Sequence, residues 1–224
     1  MRFPAARGEV WNQDAEGHPL EIGEDERGAV CHFRSGEIRG KLSMGSGAWV
    51  EAVCLAPDGG TERFTWTRKR TTAVEVDVLL PGGERVRESA RGIEDESAGY
   101  HPRHTSWRWS AGVGTSADGR EVSWNLVAGI NDPASDSERA IWIDGEPAAE
   151  PGIVTFDGLE AIAFGSGARL DFGKEAERSR EERKGIFSSS YRQPFGTFSG
   201  SLDGIELASG IGVSLTDDPS LDNS

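Results

Sequence analysis

Thr105-Ser-Trp-Arg-Trp-Ser-Ala-Gly112, the turn Asp118-Gly119, and the return run Glu121-Val-Ser-Trp-Asn-Leu-Val-Ala-Gly129 together decide the fold. Asp-Gly between two alternating runs marks a β-hairpin, because both central residues of a type I′ turn need positive φ. Read with a period of two, the first strand places Thr105, Trp107 and Trp109 on one face. His104, Ser106, Arg108 and Ser110 take the other. The return strand places Val122, Trp124 and Leu126 opposite Ser123 and Asn125. The expectation is a hairpin with one aromatic, apolar face and one face of His, Arg, Ser and Asn.

The same punctuation spreads outward along the chain. Turn signals recur at Asp58-Gly59-Gly60, Pro81-Gly82-Gly83, Asp144-Gly145, Asp157-Gly158 and Asp203-Gly204. Between them lie short runs rich in Val, Ile, Thr, Phe and Trp. These are Trp49–Leu55, Arg63–Thr67, Ala73–Leu80, Ala140–Ile143, Gly152–Phe156, Leu159–Phe164, Thr197–Leu202 and Ile205–Gly212. Strands at this spacing predict an all-β, antiparallel fold whose edges are protected by closure. Their number exceeds what a small barrel of about eight strands uses, which leaves one wide barrel or two β lobes. Charged, Arg/Glu-rich strands give way near residue 90 to a Trp-dense stretch. The chain is therefore expected to form an N-terminal β lobe over residues 1–92 and a C-terminal lobe over 93–215. The boundary is placed within Arg87–Gly99, and an acidic, disordered tail over 216–224. Lys174–Lys184 has helix-forming composition but no apolar stripe, and reads as a solvated loop or a short surface helix.

Composition narrows the function classes. The 224 residues carry a formal charge of −14, with 24 basic and 38 acidic side chains. So acidic a surface argues against nucleic acid and against anionic membrane surfaces, both of which require clustered Lys and Arg. No run approaches the roughly 20 apolar residues of a transmembrane helix, and the first residues hold no apolar signal core. A soluble, cytoplasmic protein is expected. Cys31 and Cys54 are too few for a disulfide framework or a four-Cys zinc site, and read as reduced thiols. His32 neighbours Cys31 on a strand and points to the opposite face, so the pair makes a poor catalytic dyad.

Two stretches carry the candidate chemistry. The first runs from Asp95 through His101-Pro-Arg-His104 to the Trp-rich hairpin. Asp95 reads either as a turn residue or as a carboxylic acid with a pKa raised by apolar surroundings. Arg103 reads either as its salt-bridge partner or as a clamp for a ligand carboxylate. His104 is a general-acid/base candidate, with a hydrogen-bonded structural histidine as the plainer reading. His101 and His104 lie on opposite faces of an extended strand and lack a third ligand at metal spacing, so no metal site is expected. The second stretch, Ser188–Leu202, sets the polar tips of Tyr191 and Gln193 beside Phe195 and Phe198. That mix suits a pocket wall with a few placed hydrogen bonders, and equally a well-packed strand entered through Pro194. Gly196 and Gly200 suggest close backbone approach or a bulge.

The order of these blocks resembles a bacterial family of proteins of unknown function. The matching elements are Asp95–Tyr100, His104-Thr-Ser-Trp-Arg-Trp109, Asp118-Gly-Arg120 with Asn125-Leu126, Trp142-Ile-Asp-Gly145 and Tyr191–Gly200. The resemblance covers roughly residues 88–213 and is fainter upstream, where Thr67-Arg68-Lys69 corresponds. This family is similar to the lipocalin-like, two-lobed barrels that include carotenoid hydratases and β-barrel cyclases. The resemblance implies lipocalin-like lobes, barrel or half-barrel, with a hydrophobic small-molecule cavity. In such relatives it implies acid-promoted hydration, isomerisation or cyclisation without a cofactor. One departure stands out. The family pattern places a Glu near Leu215, whereas this chain reads Gly212-Val-Ser-Leu-Thr-Asp-Asp-Pro219. An activity that used that Glu is lost here or has shifted to Asp217 or Asp218.

The sequence thus leads to a lipocalin-like protein that binds a small apolar or amphipathic molecule and needs no cofactor. Trp107, Trp109, Trp124 and Phe195 are its lining, with Arg103, Asn125 and Gln193 as hydrogen bonders. The alternative is a cofactor-independent hydratase, isomerase or cyclase with Asp95, His104 and Tyr191 as catalytic groups. No Gly-x-Gly-x-x-Gly, P-loop, Gly-x-Ser-x-Gly or His-Glu-x-x-His motif is present to support nucleotide, esterase or zinc-peptidase chemistry. The sequence leaves the oligomeric state open.

Overall fold

The computed structural model describes residues 11–15, 18–26, 28–55, 64–100, 106–184 and 187–217. Sixteen antiparallel strands form two sheets. The first, of seven strands, contains β1 (Trp11–Ala15), β2 (His18–Asp25), β3 (Gly28–Ser35), β4 (Ile38–Met44), β5 (Val50–Leu55), β6 (Phe64–Leu79) and β7 (Arg85–Gly99). Its order is β1-β2-β3-β4-β6-β5, with β7 also paired to β6. A 3₁₀ turn, Pro81–Gly83, joins β6 to β7 where Pro-Gly-Gly predicts a turn.

The second sheet, of nine strands, contains β8 (Trp107–Ser116), β9 (Glu121–Ala128), β10 (Ala140–Ile143), β11 (Glu146–Pro147) and β12 (Val154–Asp157). It is completed by β13 (Ala161–Phe164), β14 (Arg169–Lys184), β15 (Phe187–Leu202) and β16 (Ile205–Asp217). The order is β11-β10-β9-β8-β16-β15-β14-β13-β12, and β12 comes back against β9. The all-β expectation holds, and the Asp-Gly signals among the described residues fall at turns; Asp58-Gly59-Gly60 lies outside them. Asp144 and Asp203 have φ of 51° and 48°, and Gly145 and Gly204 follow at 86° and 96°, the pair of positive values a type I′ turn demands.

The inner face of the nine-stranded sheet is filled with side chains. Trp124, Leu126, Leu170, Leu202, Ile162, Phe172 and Phe198 form one buried cluster. Trp124 packs edge-on to Phe198 at 5.1 Å between ring centroids. Gly112 lies directly across from Trp124, and a Cβ there would fall inside its indole ring. The glycine is thus a notch cut for the tryptophan. Gly196 and Gly200 behave as the sequence suggests: Gly196 abuts the Gly173 carbonyl, and Gly200 has φ of 98° beside a register shift between Thr197 and Ser201.

Several local expectations are corrected. Lys174–Lys184 is neither loop nor helix but the outer half of β14, paired residue by residue with β15. Helix propensity is a weak prior, and a long complementary partner strand overrides it. Residues 174–181 are exposed, so their charges need no apolar stripe. Arg63–Thr67 and Ala73–Leu80 read as separate strands, but Phe64–Leu79 is one continuous strand, β6; Arg63 lies outside the described residues. Thr216 and Asp217 belong to β16 rather than to a tail; 218–224 lie outside the described residues.

The chain divides into two compact units, Met1–Gly47 with Thr71–Glu94, and Ala48–Arg70 with Asp95–Ser224. β5 and the start of β6 belong to the second unit. There the Cys54 thiol reaches the Asp136 carbonyl at 3.9 Å and Lys69 pairs with Glu138 at 3.5 Å.

Candidate functional site

Register decides which residues share a face. Trp109 pairs with Val127 and Ala111 with Asn125, whereas Ser110 pairs with Leu126 and Gly112 with Trp124. Trp109 therefore lies on the face of Asn125, opposite to Trp124. This corrects the expectation of a single aromatic face: the two tryptophans flank the sheet, and Trp124 is core, fully buried. The outer face instead mixes ring and amide. The Trp109 indole N–H donates to the Asn125 side-chain oxygen at 2.6 Å, and the Asn125 amide donates to the Glu138 carbonyl at 2.8 Å. Asn125 is fully buried, so both ends of its amide must be satisfied, and they are.

Beside this pair sits a buried ionic cluster. Lys69 is 3% exposed and its ammonium lies 2.7 Å from the Asp95 carboxylate and 3.5 Å from that of Glu138. Asn131 contributes a further amide contact to Glu138 at 3.5 Å. Burial pushes the Glu138 carboxyl above the ordinary glutamate range. The Lys69 charge opposes this shift and the Asp95 charge adds to it. Asp95 itself is one-third exposed and is held as the ionic partner of Lys69. The deeply buried acid of the cluster is Glu138.

Glu138 is held from behind by Arg139, whose guanidinium is buried. It donates to the backbone carbonyls of Pro151 at 3.2 Å, Asp132 at 3.3 Å and Pro133 at 2.7 Å. The Glu150 carboxylate accepts from the Asp136 and Ser137 backbone N–H groups, each at 3.0 Å. These bonds pin the 131–139 connection and with it the position of the Glu138 side chain, which is how a site is preorganised.

The second candidate stretch reaches the same face. Tyr191 pairs across β15 with Asp217, which pairs across β16 with Trp107, and Leu215 pairs with Trp109. By alternation Gln193 and Phe195 share the face of Tyr191. The Tyr191 hydroxyl donates to the Gln193 side-chain oxygen at 2.8 Å, and burial raises the phenol above its ordinary value. Phe195 is 41% exposed. Leu215, where the resemblance expects a Glu, is buried on this same face and supplies no carboxylate.

The structure thus brings Trp107, Trp109, Asn125, Tyr191, Gln193 and Phe195 to the outer face of one sheet, with Asp95 in the ionic cluster of the same unit. It sets Trp124 apart. Arg103 and His104, together with His101, lie outside the described residues. Among the described residues no group of His, Cys, Asp and Glu is arranged to hold a metal ion. Lys69 and Glu138 are the residues the sequence reading missed. A signal for Lys69 exists: Thr65, Thr67, Lys69 and Thr71 alternate with Trp66, Arg68 and Arg70, and the Thr/Lys side is the buried one. The tryptophan side faces outward instead. Arg68 stacks at 4.3 Å on Trp49 and at 5.5 Å on Trp66. Glu138 follows a polar loop and carries no comparable signal.

Fold and site together define an all-β protein of two antiparallel sheets with a buried acid–lysine cluster in which Lys69 of β6, Asp95 of β7 and Glu138, just before β10, converge. The chain belongs to the DUF2804 family, a domain of unknown function, whose model matches residues 26–214. No curated protein sequence matches it. Among solved structures, it is similar to a candidate AttH (NE1406) from Nitrosomonas europaea, with a TM-score of 0.53 and 10% identity. That match covers 88% of this chain and 67% of the other. It is also similar to CghA, solved alone and with Sch210972, at a TM-score of 0.46 and 14% identity. There the coverage is 93% of this chain and 72% of the other. At these identities the AttH likeness speaks to the fold alone. No helix among the described residues is long and apolar enough to cross a membrane.

Proposed function

We propose that this protein binds a small apolar or amphipathic molecule against the outer face of the nine-stranded sheet, near the Lys69–Glu138–Asp95 cluster. The carrying observation is that cluster itself. Ionisable groups are costly to bury, and here they lie beside half-buried Trp109 and the satisfied amide of Asn125. Apolar rings with a few convergent polar groups are what a small-molecule site requires. The inner face is already occupied by its own side chains, which favours the outer one.

A second reading is favoured by Glu138. A carboxyl whose hold on its proton is strengthened by burial suits a general acid, with Lys69 and Asp95 available to rebalance the charge. That would suit cofactor-independent hydration, isomerisation or cyclisation of a hydrophobic substrate. Farnesol, an apolar chain with a hydroxyl head, serves as the probe for both. Binding is read as saturable quenching of tryptophan fluorescence, and product formation by gas chromatography. Trp109→Ala weakens farnesol binding if the site is placed correctly, and unchanged quenching refutes that placement. Glu138→Gln that retains binding but loses product supports the enzyme reading; unchanged turnover removes Glu138 from the chemistry.

A further inference from the structure

The first unit contains an open cavity of about 840 Å³ formed by β2, β3, β4, the end of β6 and the start of β7. Its charge runs against that of the chain. Arg34, Arg39, Lys41 and Arg85 line it with only Glu21 and Asp77 as carboxylates, in a protein of net charge −14. The compensation is uneven. Arg85 grips Asp77 through two bonds of 2.6 Å, and Arg87 adds a third at 3.3 Å, so Asp77 is fully engaged. Arg34 and Arg39 are different. They stand directly opposite each other across β3 and β4, a like-charge cross-strand pair that destabilises a sheet. Among the described residues Arg39 has no ion pair, and Arg34 reaches only the Gly36 carbonyl at 3.4 Å. Beside them lie two apolar side chains of the same face: Leu79, the next cross-strand neighbour of Arg39, and Pro19, in register with Arg34 on β2.

We infer that this cavity is a second site, which takes a small amphipathic anion. Its carboxylate or phosphate head bridges the guanidiniums of Arg34 and Arg39, and its apolar body lies along Leu79 and Pro19. Two guanidinium forks suit an oxyanion geometrically, and an anion between them replaces repulsion with charge-assisted hydrogen bonds. Because the chain as a whole repels anions, affinity for one must come from this local excess of positive charge. The site is independent of the Lys69–Glu138–Asp95 cluster of the second unit.

The test uses the full chain and dodecanoate, with dodecan-1-ol as the uncharged control, by isothermal titration calorimetry below micelle formation. Dodecanoate is expected to bind with one-to-one stoichiometry. Arg34→Gln and Arg39→Gln should each weaken it about tenfold, the loss of one charge-assisted contact, and together more. Both side chains are exposed and repel each other, so the variants are expected to keep the wild-type circular dichroism and to be no less stable than wild type. Dodecan-1-ol binding should not change between wild type and variants. An equal loss for the alcohol overturns the anion assignment. Wild-type affinity in the double variant, or no dodecanoate binding at all, overturns the site. Sedimentation with phosphatidylglycerol vesicles in place of free dodecanoate binding would assign the anion to a membrane surface and likewise refute a small-molecule site.

Discussion

Replacing Lys69 by Met tests the ionic cluster most directly. The ammonium reaches the Asp95 carboxylate at 2.7 Å and that of Glu138 at 3.5 Å. Breaking a buried ion pair by removing one partner costs about 3–5 kcal/mol, because a charge is left uncompensated. Asp95 is one-third exposed and can turn to water, so its share falls to about 1 kcal/mol or less. Glu138 has a side chain only 9% exposed and has no such escape; it must take up a proton or remain a buried charge. The expected loss is about 2–4 kcal/mol at neutral to alkaline pH. The sign of its pH dependence follows from the shift. Glu138 already titrates higher in the folded protein than in the unfolded chain, and losing Lys69 removes the charge that held it down. A raised carboxyl pKa penalises folding only once the unfolded chain has lost its proton. The penalty is therefore absent below the ordinary glutamate range and grows as pH rises through the folded value. Urea denaturation followed by tryptophan fluorescence, at about pH 5 and about pH 8, should give the larger loss at the alkaline end. A loss under about 1 kcal/mol at both, or a larger loss at acid pH, refutes the cluster as described. Adding Glu138→Gln should recover part of the loss, with a coupling of about 0.5–3 kcal/mol.

Other perturbations probe separate parts of the structure. Asn125→Leu strands both the Trp109 indole N–H and the Glu138 carbonyl, and should cost about 2–4 kcal/mol in denaturant midpoint experiments. Gly112→Ala forces a methyl group into the space of the Trp124 ring. It should cost about 1–3 kcal/mol and alter the near-ultraviolet circular dichroism of the core. Burial and the charges of Glu138, Asp132 and Glu150 push the Cys54 thiol up to about 11. In the folded protein at neutral pH it should resist a thiol-specific reagent and react only on unfolding; rapid native labelling would contradict its placement.

The hairpins and their sequence of turns were legible because their signals are local. Asp144-Gly145 and Asp203-Gly204 need only their own backbone preferences to turn, and Ala140–Ile143 is bounded by its own residues. Lys174–Lys184 was not legible, because its strand state depends on β15, and a charged run carries no trace of a distant partner. The faces of the Trp hairpin were not legible either. Alternation within each strand was read correctly, but joining the two strands requires the register across the turn. An offset of one residue moves every side chain to the other face.

By itself, then, the chain's composition and turn chemistry determine an antiparallel all-β protein with an acidic surface, and its blocks Asp95–Tyr100, Trp142–Gly145 and Tyr191–Gly200 point toward its family. Only the tertiary structure decides that Trp124 fills the core while Trp109 meets Asn125. Only it decides that the Thr/Lys side of β6 is buried, and that Lys69, Asp95 and Glu138 converge. The reason is physical: turns are set by φ and ψ of adjacent residues, whereas burial and charge pairing are set by what strands far apart in sequence bring to one place.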